Sequence, residues 1–224
     1  MSAARARGSL CAALALAGSL FAGAALAGQE FERGKAALAI GDHANAYRHF
    51  RHGALRDDAR CQHFLGVLLL RGAGVEPDPK RAAGWFRRAA KLGLGASANA
   101  LGSLHLSGRG VEKDPVAAAR WFRRTALHGD ATGQTAYGLL HLHGVGVERS
   151  PLEASVWLSL GAKGGHPAAA APLAQLEPEL SPEERVQRDA RVASFRPRKG
   201  RDEGPKADPK DLPELQLPAF RSPL

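Results

Sequence analysis

Between residues 58 and 166 the apolar and small positions recur with two periods at once. Over about a dozen residues they fall at helical spacing, as in Ala82, Trp85, Phe86, Ala89 and Ala90. That is the stripe of an amphipathic helix, with one face meant for a core. The whole pattern then returns every 36 residues: Gly66, Gly102 and Gly138 share a column, as do Gly72, Gly108 and Gly144. Gly74/Gly110/Gly146, Val75/Val111/Val147, Trp85/Trp121/Trp157 and Gly93/Gly129/Gly165 keep the same register. So many columns in step mark a repeat protein in which each unit is one supersecondary element.

Each unit predicts two helices. The second begins at Asp78, Asp114 or Ser150, whose side chain caps the free N–H groups of the first turn. Proline follows at the first helical position, where its missing N–H costs nothing. In the third unit Ser150 and Glu153 complete a capping box. Glycine at 93, 129 or 165 then ends the helix in a left-handed cap. The first helix carries Phe64, Leu65, Leu68 and Leu69, or Tyr137, Leu139 and Leu140, and closes at Gly72, Gly108 or Gly144. Small residues at Ala82/Ala118/Ala154 and Ala90/Ala126/Ala162 let such helices approach closely. One pair cannot bury its own apolar face, so neighbouring pairs must stack. The fold class is therefore all-α, an α-solenoid of stacked helix-turn-helix repeats of 36 residues.

The flanks are read from the same columns. Asp42, Ala46, Phe50 and Ala54 lie one period before Asp78, Ala82, Phe86 and Ala90, so 28–57 predicts a degenerate N-terminal helical hairpin. Residues 58–166 hold the three repeats. Residues 167–196 predict capping helices, the last opened by the capping box Ser181–Glu184 and showing Val186, Ala190 and Ala193 as its apolar side. Residues 197–224, proline-rich and without periodicity, read as a disordered tail. At the other end, 1–27 reads as a signal peptide. Arg5 and Arg7 precede an apolar stretch from Leu10 to Phe21, and Ala25-Leu26-Ala27 supplies small residues for cleavage. This stretch is too short and too interrupted for a spanning helix. The expectation is export to the periplasm or the exterior.

Composition now adds constraints. The chain has 224 residues and a formal charge of +9, which loss of Arg5 and Arg7 with the signal would bring to +7. Only two cysteines occur, Cys11 and Cys61, which excludes a disulfide framework. Export turns the basic balance away from nucleic acid and toward acidic proteins, acidic polysaccharide or anionic lipid.

The columns Leu101-Gly102, Gly108-Arg109-Gly110-Val111, Asp114, Ala118, Trp121, Ala126 and Gly129, matched in the neighbouring units, resemble the Sel-one-like repeat (SLR) family, relatives of the tetratricopeptide repeats. The resemblance covers 58–166 well and 42–57 weakly. It implies an α-solenoid that serves as adaptor or scaffold in protein assemblies. Exported bacterial members of the family include regulators of signalling sensors and scaffolds for exopolysaccharide secretion. Leu69, His105 and His141 stand where the family usually has tyrosine, so a family ligand pattern does not carry over.

Candidate chemistry is sparse. Gly108-Arg109-Gly110 lacks the third glycine and the lysine of a phosphate loop and reads as a turn. His141 and His143 are two apart on a helix and cannot face one ligand, and His105 and His141 read as packed residues, so no metal site is assigned. Cys61 occupies a small-residue column and reads as a buried, inert thiol. No nucleophile elbow, catalytic carboxylate pair or zincin sequence is present, so no catalytic residue and no cofactor are assigned. The tryptophan column reads as core packing. The most suggestive surface feature is a column of arginines, Arg51, Arg87 and Arg123, flanked by Arg88 and Arg124. As a basic stripe it suits carboxylate-rich partners. The expected role is a non-enzymatic scaffold for protein partners in the cell envelope, with an anionic exopolysaccharide as the alternative ligand and a cryptic hydrolase as a lesser one.

Overall fold

The computed structural model of the chain describes residues 26–198. The signal-peptide reading for 1–27 therefore lies almost wholly outside the described residues, as does nearly all of the tail from 197. The chain divides into two compact units, Met1–Asp78 and Pro79–Leu224, and the boundary falls inside the first 36-residue repeat. Among the described residues all regular structure is helical.

The first unit holds α1 over 26–39, α2 His43–Ala54 and α3 Ala59–Arg71. Gly41, at φ 75°, turns the chain between α1 and α2. Asp42 caps α2 by accepting the Asn45 N–H at 3.1 Å, and Asp58 caps α3 by accepting the N–H groups of Arg60 and Cys61. Three phenylalanines, one per helix, fill the centre. The rings of Phe31, Phe50 and Phe64 lie 5.0–6.1 Å apart, within the range where offset and edge contacts add to burial.

The second unit contains α4 Pro79–Lys91, α5 Gly95–Ser107, α6 Pro115–Leu127, α7 Ala131–His143 and α8 Pro151–Lys163. After α8 come a short turn of 3-10 helix, α9 Ala170–Leu176, a second such turn, and α10 Pro182–Ser194. Successive helices α4 to α8 pack on one another in chain order, as antiparallel neighbours with short connections do. Ala82, Ala118 and Ala154 are fully buried, so the small-residue column lies where helices meet. The glycine column works the same way: a Cβ on Gly102 would meet the Phe122 ring at 2.7 Å, and one on Gly138 would meet Leu158 at 2.9 Å.

The turn glycines join one repeat to the next. Gly110 has φ 75° and lies directly against the backbone carbonyl of Pro79, and Gly146, at φ 69°, sits in the same way on Pro115. Each turn thus rests on the first turn of the preceding repeat's second helix. A side chain there would clash and would also force an unfavourable left-handed backbone.

Two local expectations change. Ser150 caps α8 through the Glu153 N–H, but the Glu153 carboxylate turns away to Arg191, so this end has a cap and not a full capping box. Ser181 and Glu184 do form a reciprocal box at α10. The buried face of α10 is not Val186, Ala190 and Ala193, all of which are exposed, but Val192. Arg188 is also largely buried there, its guanidinium bound to Glu177 and Asp189. The inward side of α10 thus carries Val192 and the ion-paired Arg188 in place of its apolar stripe.

Candidate functional site

Helices α4 and α6 present equivalent faces. Asp114 accepts the Ala117 N–H at 2.9 Å and starts α6 at Pro115, which sets the rotational phase of the whole helix. Ala118 and Phe122 then point inward, and Trp121 falls on the flank, half-buried. One turn on, the Arg124 guanidinium lies over the Trp121 ring at 5.9 Å from its centre. On α4 the pair is Trp85 and Arg88, at 4.9 Å. Such contacts contribute roughly 0.5–1 kcal/mol at exposed sites.

The predicted arginines therefore divide by role. Arg88 and Arg124 lie on tryptophans, while Arg87 and Arg123 are exposed beside them. Arg123 also comes close to the Tyr137 hydroxyl. Burial raises the pKa of that phenol, and the arginine's charge and hydrogen bond work against the rise. Arg51 stands exposed on α2 in the first unit, and on the same hairpin Glu30 and His49 are in contact at 2.8 Å. The hydrogen bond from His49 is the main cause holding the Glu30 carboxyl below its usual range.

The tryptophan column is not uniformly core. Trp157 is buried, but Trp85 and Trp121 are only half so, and they form the apolar part of a basic-aromatic surface. The third repeat differs because α10 lies on it. Val192 joins the cluster of Phe122, Tyr137 and Trp157, and the Phe195 ring meets Trp157 edge-on at 6.0 Å. Arg191 grips Glu153 with two hydrogen bonds of 2.7 and 2.9 Å. The chain then continues extended. Pro197 packs against Gly129, and the Arg198 N–H donates to the Leu127 carbonyl at the end of α6. A capping helix was expected from the sequence but not which residues it covers, although a signal existed: Arg120 and Arg124 become Val156 and Leu160 one period later, both buried.

The remaining candidates are structural. His105 and His141 place Nδ1 within 3.2 and 3.1 Å of the carbonyls of Glu112 and Glu148, tying each repeat's turn to its first helix. Among the described residues no group of three or more His, Cys, Asp or Glu is arranged to hold a metal. Cys61 is fully buried, and burial, reinforced by the charge of Asp58, pushes its thiol pKa far up. It is therefore protonated and inert as a nucleophile. Burial likewise drives His63 down to about 4, so it is neutral at physiological pH.

The Sel1 repeat family matches residues 59–94, 95–130 and 131–166. Among solved structures, the chain is similar to a protective antigen present in uropathogenic Escherichia coli strains displaying an SLR fold. The likeness has 28% identity and a TM-score of 0.63, over 67% of this chain and 32% of that one. It is also similar to a Sel1 repeat protein from Oxalobacter formigenes, at 26% identity and a TM-score of 0.58, over 67% of this chain and 62% of that one. The chain thus spans about a third of the first relative's length and about three fifths of the second's. No curated protein matches it.

Proposed function

With residues 59–166 forming three Sel1 repeats, we propose that the chain is an exported, non-enzymatic scaffold that binds a protein partner in the cell envelope. Sel1 repeats generally serve as protein-interaction scaffolds, and solenoids built from them are generally non-enzymatic. The observation that carries the reading is the pair of equivalent basic-aromatic faces on α4 and α6. Half-buried tryptophans and arginines are the residue types that anchor protein interfaces. Packed helices hold them in place beforehand, so binding orders few side chains and loses little entropy. The n-region arginines and the Ala25-Leu26-Ala27 sequence support export, and a role in an envelope signalling or secretion complex accords with that location.

Crosslinking of the mature protein in living cells, followed by mass spectrometry, tests this. The wild type should capture a defined envelope protein, and Arg87→Glu combined with Arg123→Glu should reduce that capture about tenfold with helicity unchanged. Equal capture by the variant would sink the arginine surface. Capture of no protein, with salt-sensitive binding of a polyuronate lost in the variant, would replace the protein partner by acidic polysaccharide.

A further inference from the structure

Among the buried polar positions at which the three repeats differ, one coincides with a cavity. In the first unit Gln62 is fully buried and its Nε2 donates to the Ala54 carbonyl at 3.2 Å. In the last repeat Gln134 is buried and its Nε2 donates to the Ala126 carbonyl at 3.3 Å. Both carbonyls also accept one backbone N–H, from Asp57 and Gly129 respectively. Their second acceptor site is filled by the glutamine amide. In the middle repeat the equivalent carbonyl is that of Ala90, which accepts the Gly93 N–H at 3.1 Å, but the residue in the glutamine column is Ala98.

A cavity of about 50 Å³ lies there, half-open to solvent and lined by Ala90, Leu94, Ala98, Arg124, Thr125 and Asp130. One water needs roughly 10–15 Å³ on the same measure, so the space exceeds a single water and suits a small polar group. Its polar wall is already organised. Thr125 Oγ1 donates to Asn99 Oδ1 at 2.6 Å, and Asn99 Nδ2 donates to Asp130 Oδ1 at 2.7 Å. Asp130 Oδ1 also accepts the Gly133 N–H, and the Ala90 carbonyl is the acceptor whose equivalents in the flanking repeats receive a glutamine amide.

We infer that this notch is a receptor for a primary carboxamide, the Asn or Gln side chain of a bound protein. This deepens the scaffold reading and rests on it. The carboxamide N–H would donate to the Ala90 carbonyl, as Gln62 and Gln134 do to their own. Arg124 both lines the notch and covers Trp121, so a segment lying on the basic-aromatic face of α6 passes its mouth. The notch therefore sets specificity within that face: a partner side chain of the right length that lacks the amide donor leaves the carbonyl without its second bond.

Selection of a phage-displayed random dodecapeptide library on the mature protein tests the assignment. The enriched peptides should share an Asn or Gln at one position, several-fold above its library frequency. As synthetic peptides they should bind Ala98→Gln about tenfold more weakly than wild type, the loss expected when a ligand group and its hydrogen bond are displaced. Ala98→Met fills the notch without an amide and should weaken them as much, a second variant that guards against misfolding of the first. Replacing the shared Asn or Gln of the peptide by Leu should have the same effect on wild type. Binders with no common carboxamide, or binders indifferent to both Ala98 variants, overturn the inference. If those binders still lose affinity to Arg87→Glu plus Arg123→Glu, the scaffold surface stands and only the notch falls. A selection that yields no binder counts against both.

Discussion

The second and third repeats of the second unit follow one template and end with opposite surfaces. On α6 the outward sequence is Arg120, Trp121 and Arg124, and the indole is half-buried under its own arginine. On α8 the same positions are Val156, Trp157 and Leu160, all buried beneath α10 and Phe195. The tryptophan is common to both, so it does not determine the role of the face. Its neighbours do. Two charged residues leave the indole as a contact surface, and two apolar ones turn it into core. Among the described residues, α10 and Phe195 occupy in the third repeat the kind of surface that stays partly exposed around Trp121 in the second.

The largest expected effect comes from removing that shared tryptophan from each face. Trp157→Ala should lower stability by about 3–5 kcal/mol, the usual result of deleting a large buried aromatic. Trp121→Ala should cost less, because part of its indole is already in water. Urea unfolding followed by circular dichroism would measure both, since fluorescence is altered by the substitutions themselves. The order should invert for binding: selected peptides should lose more affinity to Trp121→Ala than to Trp157→Ala. Equal stability losses would mean that the α6 indole is core as well.

The repeat architecture was legible because its signals are local and periodic. Gly72, Gly108 and Gly144 adopt φ of 72°, 72° and 67° as left-handed caps, and Asp114 and Ser150 cap the helices that come after them. A glycine or a cap residue acts within a few positions, so spacing alone locates it. That α10 caps the stack was legible, but the contacts that dock it were not, because Glu153 and Arg191 lie 38 residues apart and belong to no column. Its apolar stripe misled for a related reason. Val186, Ala190 and Ala193 are exposed, and the inward side is marked instead by Val192 and Phe195 on the Trp157 cluster and by the ion-paired Arg188. The division of the arginines also escaped the sequence. Arg87 and Arg88 are adjacent and chemically identical, and only the flank position of Trp85 decides which of them lies on a ring. For the same reason the notch was hidden, since an alanine in a small-residue repeat announces nothing until the two flanking glutamines are seen to donate.

The glutamine column sharpens the comparison with effects of opposite sign. Gln134→Ala should destabilise by about 1–3 kcal/mol, because it removes a buried hydrogen bond and opens a cavity like the one at Ala98. Ala98→Gln should stabilise by about 0.5–1.5 kcal/mol, because it supplies the Ala90 carbonyl with the same bond and fills existing space. Thermal unfolding of the single variants and the swap would test both. A loss of stability in Ala98→Gln would show that the notch cannot accommodate an amide in the glutamine geometry. It would then also be closed to one from a partner.

The smallest effect concerns the pair that keeps α10 on the third repeat. The hydrogen bonds from Arg191 hold the Glu153 carboxyl below its ordinary value of 4.5, with burial opposing them. A carboxyl whose pKa is lower in the folded chain stabilises it fully above the ordinary value and stops doing so as pH falls through the folded one. The contribution is therefore present at neutral pH and disappears on acidification below about 4.5. Both side chains are about a third exposed or more, so solvent screening limits the pair to about 1 kcal/mol or less. Glu153→Gln should thus flatten the acid side of the stability curve slightly and leave the rest unchanged. The more informative readout is local. Amide exchange over 182–195 should speed up in the variant at neutral pH, while exchange in α5 and α6 up to Phe122 should not. If the whole unit loosens together, α10 is an inseparable part of the stack, and the covered and uncovered faces are not independent variants of one template.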